Sequence, residues 1–344
     1  MWFVGLDLHL ETTAVSIRNT RGAVIRREVV ATNAPGLRRA LRGIRGRVQI
    51  VCESGPLVPW VRDLLETRLR EVVVCDRRRT RLTVTGAKTD RIDADKLSEL
   101  LRKDSVHAVY VPRGDHALLR RLASHYVKML RDRGRIIARM RSLFMEAGMR
   151  VTSPRSAPER VPLSRLRRPG TRFIAEAYLR QLELATAIVA EARAALIHQA
   201  STSSAFALLQ TIPHVGEIRA AEILAVVGHP DRFRSLRTFW SYAGLGLVQS
   251  VSAEHKVENG RIVRGEKRRG VRLARAGHPL LKKVMRDLAL YASLKGGVFR
   301  DIYDAHLGRG KTPAVARIAL ARKFAAVILA VWRGGLPFDA SLVG

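Results

Sequence analysis

The sequence predicts an α/β N-terminal domain over residues 1–110, a helical, coiled-coil middle over 111–203 and a mainly α C-terminal domain over 204–344. Three observations lead there. Short apolar runs alternate with helix-spaced segments through the first hundred residues. Two long stretches of helical periodicity flank a segment rich in Pro, Ser and Arg. The remainder is divided by Gly and Pro into further helix-like runs.

"MWFVGLDLH" is an apolar strand-like run that holds Asp7. "TTAVSIRNTRGAVIRREVV" is two such runs about an "NTRG" turn, which reads as a hairpin. "PGLRRALRGIRG" has helical spacing. "VQIVCES" reads as a buried strand with Glu53 at its C-terminal end, "LVPWVRDLLETRL" as a helix and "EVVVCD" as another strand. A helix containing "DRIDADKLSELLRK" follows. Hairpin strands leading into alternating β and α units imply a mixed sheet with helices against it. In the middle, "ALLRRLASHYVKMLRDRGRIIARMRSLFMEAG" sets Leu118, Leu122, Tyr126, Met129 and Leu130 at helical spacings. Residues 151–171 read as a loop, and "RFIAEAYLRQLELATAIVAEARAALIHQ" as a second long helix. The two helices suggest an antiparallel pair, a spacer or dimerisation arm, the alternative being a plain helical linker domain.

In the C-terminal third, "LLQTIPHVGEIRAAEILAVVG" reads as helix, turn, helix, with Pro213 and Gly216 in the turn and Val215 and Ile218 packing it. Ser250 and Ser252 read on their own as loop serines, most of which are merely turn-formers. "RIVRGEKRRGVRLARAGHPLLKKVM" runs from a hairpin into a helix, and "TPAVARIALARKFAAVILAVWRGG" is an amphipathic helix that closes the core.

The chain has 62 Lys and Arg against 30 Asp and Glu in 344 residues, a net charge of +32, and a pI near 11.5. Such an excess points to a polyanionic partner, because neutralising phosphates releases their counterions. Nucleic acid is the first candidate and an anionic membrane surface the second. No apolar run approaches the roughly 20 residues of a membrane span. The N-terminus lacks a basic region and carries Asp7, so a signal peptide is not expected. Cys52 and Cys75 lie beside apolar runs without CxxC spacing and read as reduced core thiols of a cytoplasmic protein. Aromatic residues make up only 6%, which disfavours recognition of single strands by base stacking. Between 261 and 275, Arg261, Arg264, Lys267, Arg268, Arg269, Arg272 and Arg275 stand against Glu266 alone. With Gly260, Gly265 and Gly270 allowing close backbone approach, this strip reads as a nucleic-acid contact, the alternative being a solvated basic loop.

In so basic a chain, "KTDRIDADKL" concentrates three aspartates within six residues. On a helix Asp90 and Asp93 share a face, whereas Asp95 points away from Asp90. Asp7 within one strand and Glu53 at the end of another can converge with them at a sheet edge. Four such carboxylates repel one another unless cations sit between them. An oxygen-only set suits Mg2+ or Mn2+, and two such ions about 4 Å apart can clamp the attacking and leaving oxygens of a phosphodiester. Taken singly, each acid has an ordinary explanation as a turn residue, surface acid or helix cap. Taken together they favour a metal site.

"GLDLH", "CESGP" and "KTDRIDADKL" resemble the motifs of the DEDD transposases of bacterial insertion sequences, a family that includes the pilin-gene invertases and the bridge-RNA-guided recombinases. The glutamate motif departs from the commoner E-(A/S)-T-G pattern. The resemblance implies a RuvC-like, RNase H-like nuclease domain with Asp7, Glu53, Asp90 and Asp93 as its catalytic and metal-binding residues. "FWSYAGLGLVQSVSA" resembles the family's second block, in which a serine becomes covalently joined to DNA. Ser252 fits that nucleophile position better than Ser250, although Ala253 stands where the family often has Gly. The family likeness further implies Mg2+ or Mn2+ as cofactor, double-stranded DNA at element ends and target, a structured guide RNA and a homo-oligomer, dimer or tetramer. Since Ser252 is far from Asp7 in sequence, its segment is expected to reach the nuclease domain of its own or a partner chain. The competing readings are a RuvC-like nuclease that only hydrolyses DNA, and a non-catalytic basic nucleic-acid-binding protein.

Overall fold

The computed structural model describes residues 1–76, 90–149, 163–258, 261–274 and 276–343. The chain divides into two compact units, Met1–Val111 and Pro112–Gly344.

In the first unit, β1 (Trp2–Leu8), β2 (Thr12–Asn19) and β3 (Val24–Ala31) form an antiparallel meander. β4 (Val48–Glu53) and β5 (Arg70–Cys75) then add in parallel on the other side of β1, giving the order β3-β2-β1-β4-β5. The sequence explains which strands are central. β1 and β4 are apolar on both faces, as strands covered by helices on both sides must be. β3 alternates exposed and half-buried residues and lies at an edge. Helices α1 (Ala34–Ala40) and α2 (Val58–Leu65) cover one face, where Leu37, Val61 and Leu65 pack on Val4, Leu6, Ile50 and Cys52. Helix α3 (Asp90–Arg102) covers the other, with Leu97 and Leu101 against Phe3, Val51 and Cys75. The order of these elements follows the sequence expectation throughout.

Gly5 determines how closely α3 approaches. A Cβ at this position would lie 2.1 Å from the Ala94 carbonyl oxygen and 2.7 Å from the Ser98 amide nitrogen. Both are backbone atoms of α3 and cannot turn aside. Gly5→Ala is therefore expected to destabilise the first unit by about 3 kcal/mol, at the upper end of the range for overpacked cores. Denaturant unfolding of the variant checks this.

The second unit opens with α4 (Gly114–Glu146) and α5 (Pro169–Ser201). Leu119, Ala123 and Tyr126, early in α4, share a cluster with Val189, Ala192 and Leu196, late in α5. Ile137, Met140 and Phe144 join Ala175 and Leu182 at the opposite ends. The pair is thus antiparallel, as expected. Tyr126 is buried and Leu122, Met129 and Leu130 pack on the cluster as expected, but Leu119 takes the place expected for Leu118, which is 46% exposed. Both fit a 3.6-residue period, and only the partner helix decides between them.

Helices α6 (Ser204–Gln210) and α7 (Glu217–Val227) follow, with His214 at φ 70° in their turn and Val215 buried. After α8 (Leu236–Tyr242) comes an antiparallel hairpin, β6 (Leu247–Glu258) and β7 (Arg261–Leu273). Then come α9 (Pro279–Ala292), α10 (Val298–Gly308) and α11 (Pro313–Gly334). Helix α11 buries Leu320, Phe324, Ile328 and Val331 in the central cluster and ends at Gly335 in the left-handed conformation. It closes the core, as its amphipathic pattern predicts. Among the described residues no helix is long and apolar enough to cross a membrane.

Candidate active site

Asp7 follows Leu6, whose parallel partner on β4 is Cys52. The next residue of β4 is Glu53, so the two acids stand in step at the C-terminal ends of neighbouring parallel strands. Side chains alternate across a strand. Phe3 packs against α3 and Gly5 lies beneath it, so Asp7 belongs to the same face. Val51 packs against α3 as well, which assigns Glu53 to that face too.

The direction of α3 brings the aspartates to the same end. Arg18, the register partner of Phe3, meets Ser98 and Glu99 in the second half of α3. Gly5 lies under Ala94 and Ser98. The helix therefore runs opposite to β1, and its first turn points toward the Asp7 end. From Ala94 back to Asp90 the axis rises about 6 Å, and from Gly5 on to Asp7 the strand advances about 7 Å. Asp90 and Asp93 thus lie on the part of α3 nearest the ends of β1 and β4. The side chain of Asp90 lies outside the described residues. Asp7 is 16% exposed and its Oδ2 is 3.2 Å from Nε2 of His9. Among the described residues no three His, Cys, Asp or Glu side chains are gathered closely enough to hold one ion. The carboxylate oxygens of Asp7, Glu53 and Asp93 are donors that fit a hard divalent cation, although softer groups stand nearby, His9 beside Asp7 and Cys75 as the register partner of Glu53.

Asp95 differs from the expectation that it merely points elsewhere on α3. Its carboxylate reaches across to the sheet, accepting a hydrogen bond from Ser16 Oγ and pairing with Arg27 Nε at 2.6 Å. One turn on, Glu99 is held down to about 2 by hydrogen bonds and charge from Arg102 and Lys103. Spacing within the helix could not reveal the partners of Asp95, because they come from β2 and β3.

Ser250 and Ser252, expected in a loop, lie on β6. Their register partners on β7 are Gly270 and Arg268. The basic strip is likewise the second strand of this hairpin, where the sequence suggested a hairpin of its own. The reason is that two long segments, each mixed in polarity, pair with one another from Leu247 opposite Leu273 to Glu258 opposite Arg261, and neither shows a clean alternation when read alone. The side chains of Ser250, Ser252, Arg261, Arg264, Lys267, Arg268, Arg269 and Arg272 lie outside the described residues, as does Arg275 entirely.

The base of the hairpin is firmly held. Gly244, at φ 68°, and Gly277, at φ 120°, meet so closely that a Cβ on Gly277 would lie 2.5 Å from the Gly244 backbone. Ala274 donates its amide to Gly246 O at 2.8 Å, and Lys282 Nζ donates to Ala274 O at 3.1 Å. Arg322 of α11 donates from Nε and Nη2 to Leu245 O at 2.9 and 2.6 Å, and its guanidinium lies 5.1 Å from the Trp240 ring centroid. Sequence reasoning singled out the "AGLG" run but missed Lys282 and Arg322, for which no local signal exists.

Comparison with known proteins agrees with this arrangement. Residues 4–148 match a family model of DEDD type described as Transposase. Residues 206–304 match the model described as Transposase IS116/IS110/IS902 family. Among curated proteins, the chain is similar to the Insertion element IS110 uncharacterized 43.6 kDa protein of Streptomyces coelicolor, at 30% identity over 136 residues. That match covers 39% of this chain and 30% of the relative's length. The two models span the carboxylate-bearing unit, the first long helix and the serine-bearing hairpin. The chain belongs to the IS110 family of DEDD transposases.

Proposed function

We propose that this protein is a DNA transposase and recombinase of an insertion sequence, which cleaves strands and rejoins them through a serine–DNA covalent intermediate. The observation that carries the reading is the pairing of two arrangements in one chain. Asp7, Glu53 and the start of α3 share one end of a mixed sheet. A hairpin sets the register of Ser252 opposite Arg268 in a strongly basic strand. The strand order β3-β2-β1-β4-β5 supports an RNase H-like, RuvC-like reading of the first unit. In this reading residues 1–110 are the nuclease domain, 111–203 a helical arm and 204–344 the serine-bearing transposase domain.

Asp7, Glu53, Asp90 and Asp93 would hold Mg2+ or Mn2+, which offsets charge on the phosphate when bound. The serine chemistry balances without an external energy source. The Oγ of Ser252 attacks phosphorus, its proton is lost, and one bridging oxygen of the DNA backbone leaves and takes up a proton. The phosphodiester is retained as a phosphoserine diester, and attack by a DNA hydroxyl reverses the step and frees the serine. The substrate is double-stranded DNA at element ends and target. A structured guide RNA would share in choosing the sequence. A homo-oligomer, dimer or tetramer, acting in the bacterial cytoplasm completes the proposal.

The basic strand makes phosphate contacts in this reading. Replacing Arg268, Arg269 and Arg272 with alanine is expected to weaken duplex binding and flatten its salt dependence. Each lost contact lowers the log–log slope by roughly 0.9. A filter-binding series in increasing salt checks it, and an unchanged slope excludes the strand from the interface. The function itself is tested by incubating labelled duplex DNA carrying the element ends with the protein, with Mg2+ and with chelator. Metal-dependent cleavage together with a denaturant-resistant protein–DNA species is expected. Cleavage without that species would leave hydrolysis alone.

A further inference from the structure

Of the three aspartates in "KTDRIDADKL", two belong to the proposed metal site and one does not. Asp95 sits at the centre of a polar network beneath α3. Its Oδ1 accepts from Ser16 Oγ and its Oδ2 from Arg27 Nε at 2.6 Å. Its backbone carbonyl accepts from Ser98 Oγ at 2.8 Å and from Arg18 Nη2 at 3.4 Å. Arg18 Nε donates to Ser98 Oγ at 2.9 Å, and Arg18 Nη1 donates to Gly22 O at 2.9 Å. Ser16 is 1% exposed and Ser98 is fully buried. The network therefore joins one helix to two strands, β2 and β3, within the layer that the helix covers.

The apolar contacts of α3 cannot do this alone. Where α3 crosses β1 it rests on Gly5, a flat spot opposite the small residue Ala94. Leu97 and Leu101 fix which side of the helix is buried. They discriminate poorly against a slide along the strand, because apolar attraction is non-directional. A carboxylate that meets both a buried hydroxyl and a guanidinium is directional and sensitive to small displacements. A slide of one residue, about 1.5 Å along the axis, would break both bonds and shift Asp90 and Asp93 relative to Asp7 and Glu53.

We propose that Asp95 is a positioning residue, which fixes the axial setting of α3 so that Asp90 and Asp93 face the ends of β1 and β4 at the distance a divalent ion requires. The proposal rests on the carboxylate site proposed above. It predicts that Asp95 and Arg27 act together on metal binding, although neither is a ligand.

The test uses the full-length protein with Mn2+ itself as probe, read by electron paramagnetic resonance, alongside hydrogen–deuterium exchange of the α3 amides. Wild type, Asp7→Ala, Asp95→Asn, Asp95→Ala, Arg27→Ala and the Asp95→Ala/Arg27→Ala double variant are compared at low temperature. The expected result for Asp95→Ala is Mn2+ binding weakened about tenfold, the lower end of effects from residues that orient metal ligands. Exchange at 90–102 should quicken while the amides of β1 and β4 stay protected. Asp95→Asn, which keeps the shape and loses the charge, should fall between. The double variant should lose no more than the worse single one, because both changes break one contact. If Asp95→Ala and Asp95→Asn bind Mn2+ as wild type does, or if exchange of α3 is unaltered, the proposal is overturned. If instead Asp7→Ala binds Mn2+ as well as wild type, the carboxylate site itself is wrong and the positioning role falls with it.

Discussion

Alanine at Asp7 or Asp93 abolishes strand cleavage and leaves DNA binding close to wild type. Losing one carboxylate of a metal set removes transition-state stabilisation worth several kcal/mol, so a drop of about a thousandfold or more is expected. Asp90→Ala should behave alike. Binding depends on a surface with net charge +32, and removing an acid makes that charge slightly larger. Cleavage in Mg2+ and duplex retention on a gel, measured on the same preparations, separate the two effects. Normal cleavage by Asp90→Ala or Asp93→Ala would remove α3 from the active site, whatever the other acids do. Asp95→Ala is expected to differ in kind. It should respond to higher metal concentration, because its ligands are intact and only displaced.

Ser252→Ala loses the covalent protein–DNA species and recombination together, while Ser250→Ala keeps both. An unactivated serine is a poor nucleophile, so its surroundings decide whether it reacts. The two serines lie two residues apart on β6, yet their cross-strand neighbours differ: Arg268 opposite Ser252, Gly270 opposite Ser250. A cation beside the attacked phosphate lowers the cost of the charge that develops there, which favours Ser252. Labelled DNA resolved under denaturing conditions reads the outcome directly. An adduct formed by Ser252→Ala and lost in Ser250→Ala would move the nucleophile by two residues. An adduct unaffected by either change would exclude both serines.

Much of the first unit was legible in the sequence because its strands are short, apolar and separated by clear turns. "NTRG" marked the β2–β3 turn, and the position of Glu53 at the end of "VQIVCE" followed from the length of its apolar run. The approach of Asp7 and Glu53 required knowing that β4 adds parallel to β1, which periodicity does not specify. The bonds of Asp95 to Ser16 and Arg27 span 79 and 68 residues of sequence, and a helical wheel sees only its own helix. The C-terminal hairpin was half legible. Its basic strand stood out by charge, but "LVQSVSAEHKVE" alternates too weakly to announce a strand. The hairpin gains its meaning from pairing, as serine and arginine meet only once the register is set. The stripe of α4 held at Leu122, Tyr126, Met129 and Leu130 and differed only at Leu118, since Leu118 and Leu119 are equivalent until α5 packs on one of them.

Mass spectrometry of the trapped species tests the serine–DNA reading most directly. Wild-type protein is reacted with duplex DNA in Mg2+, denatured, trimmed with nuclease and digested with protease, and the peptide spanning residues 247–261 is sequenced. The account predicts a nucleotide remnant joined through phosphate to Oγ of Ser252, absent from Asp7→Ala reactions, where cleavage chemistry is lost. Cleaved DNA with free ends and an unmodified 247–261 peptide would contradict it, and the protein would then be a nuclease that hydrolyses and does not rejoin.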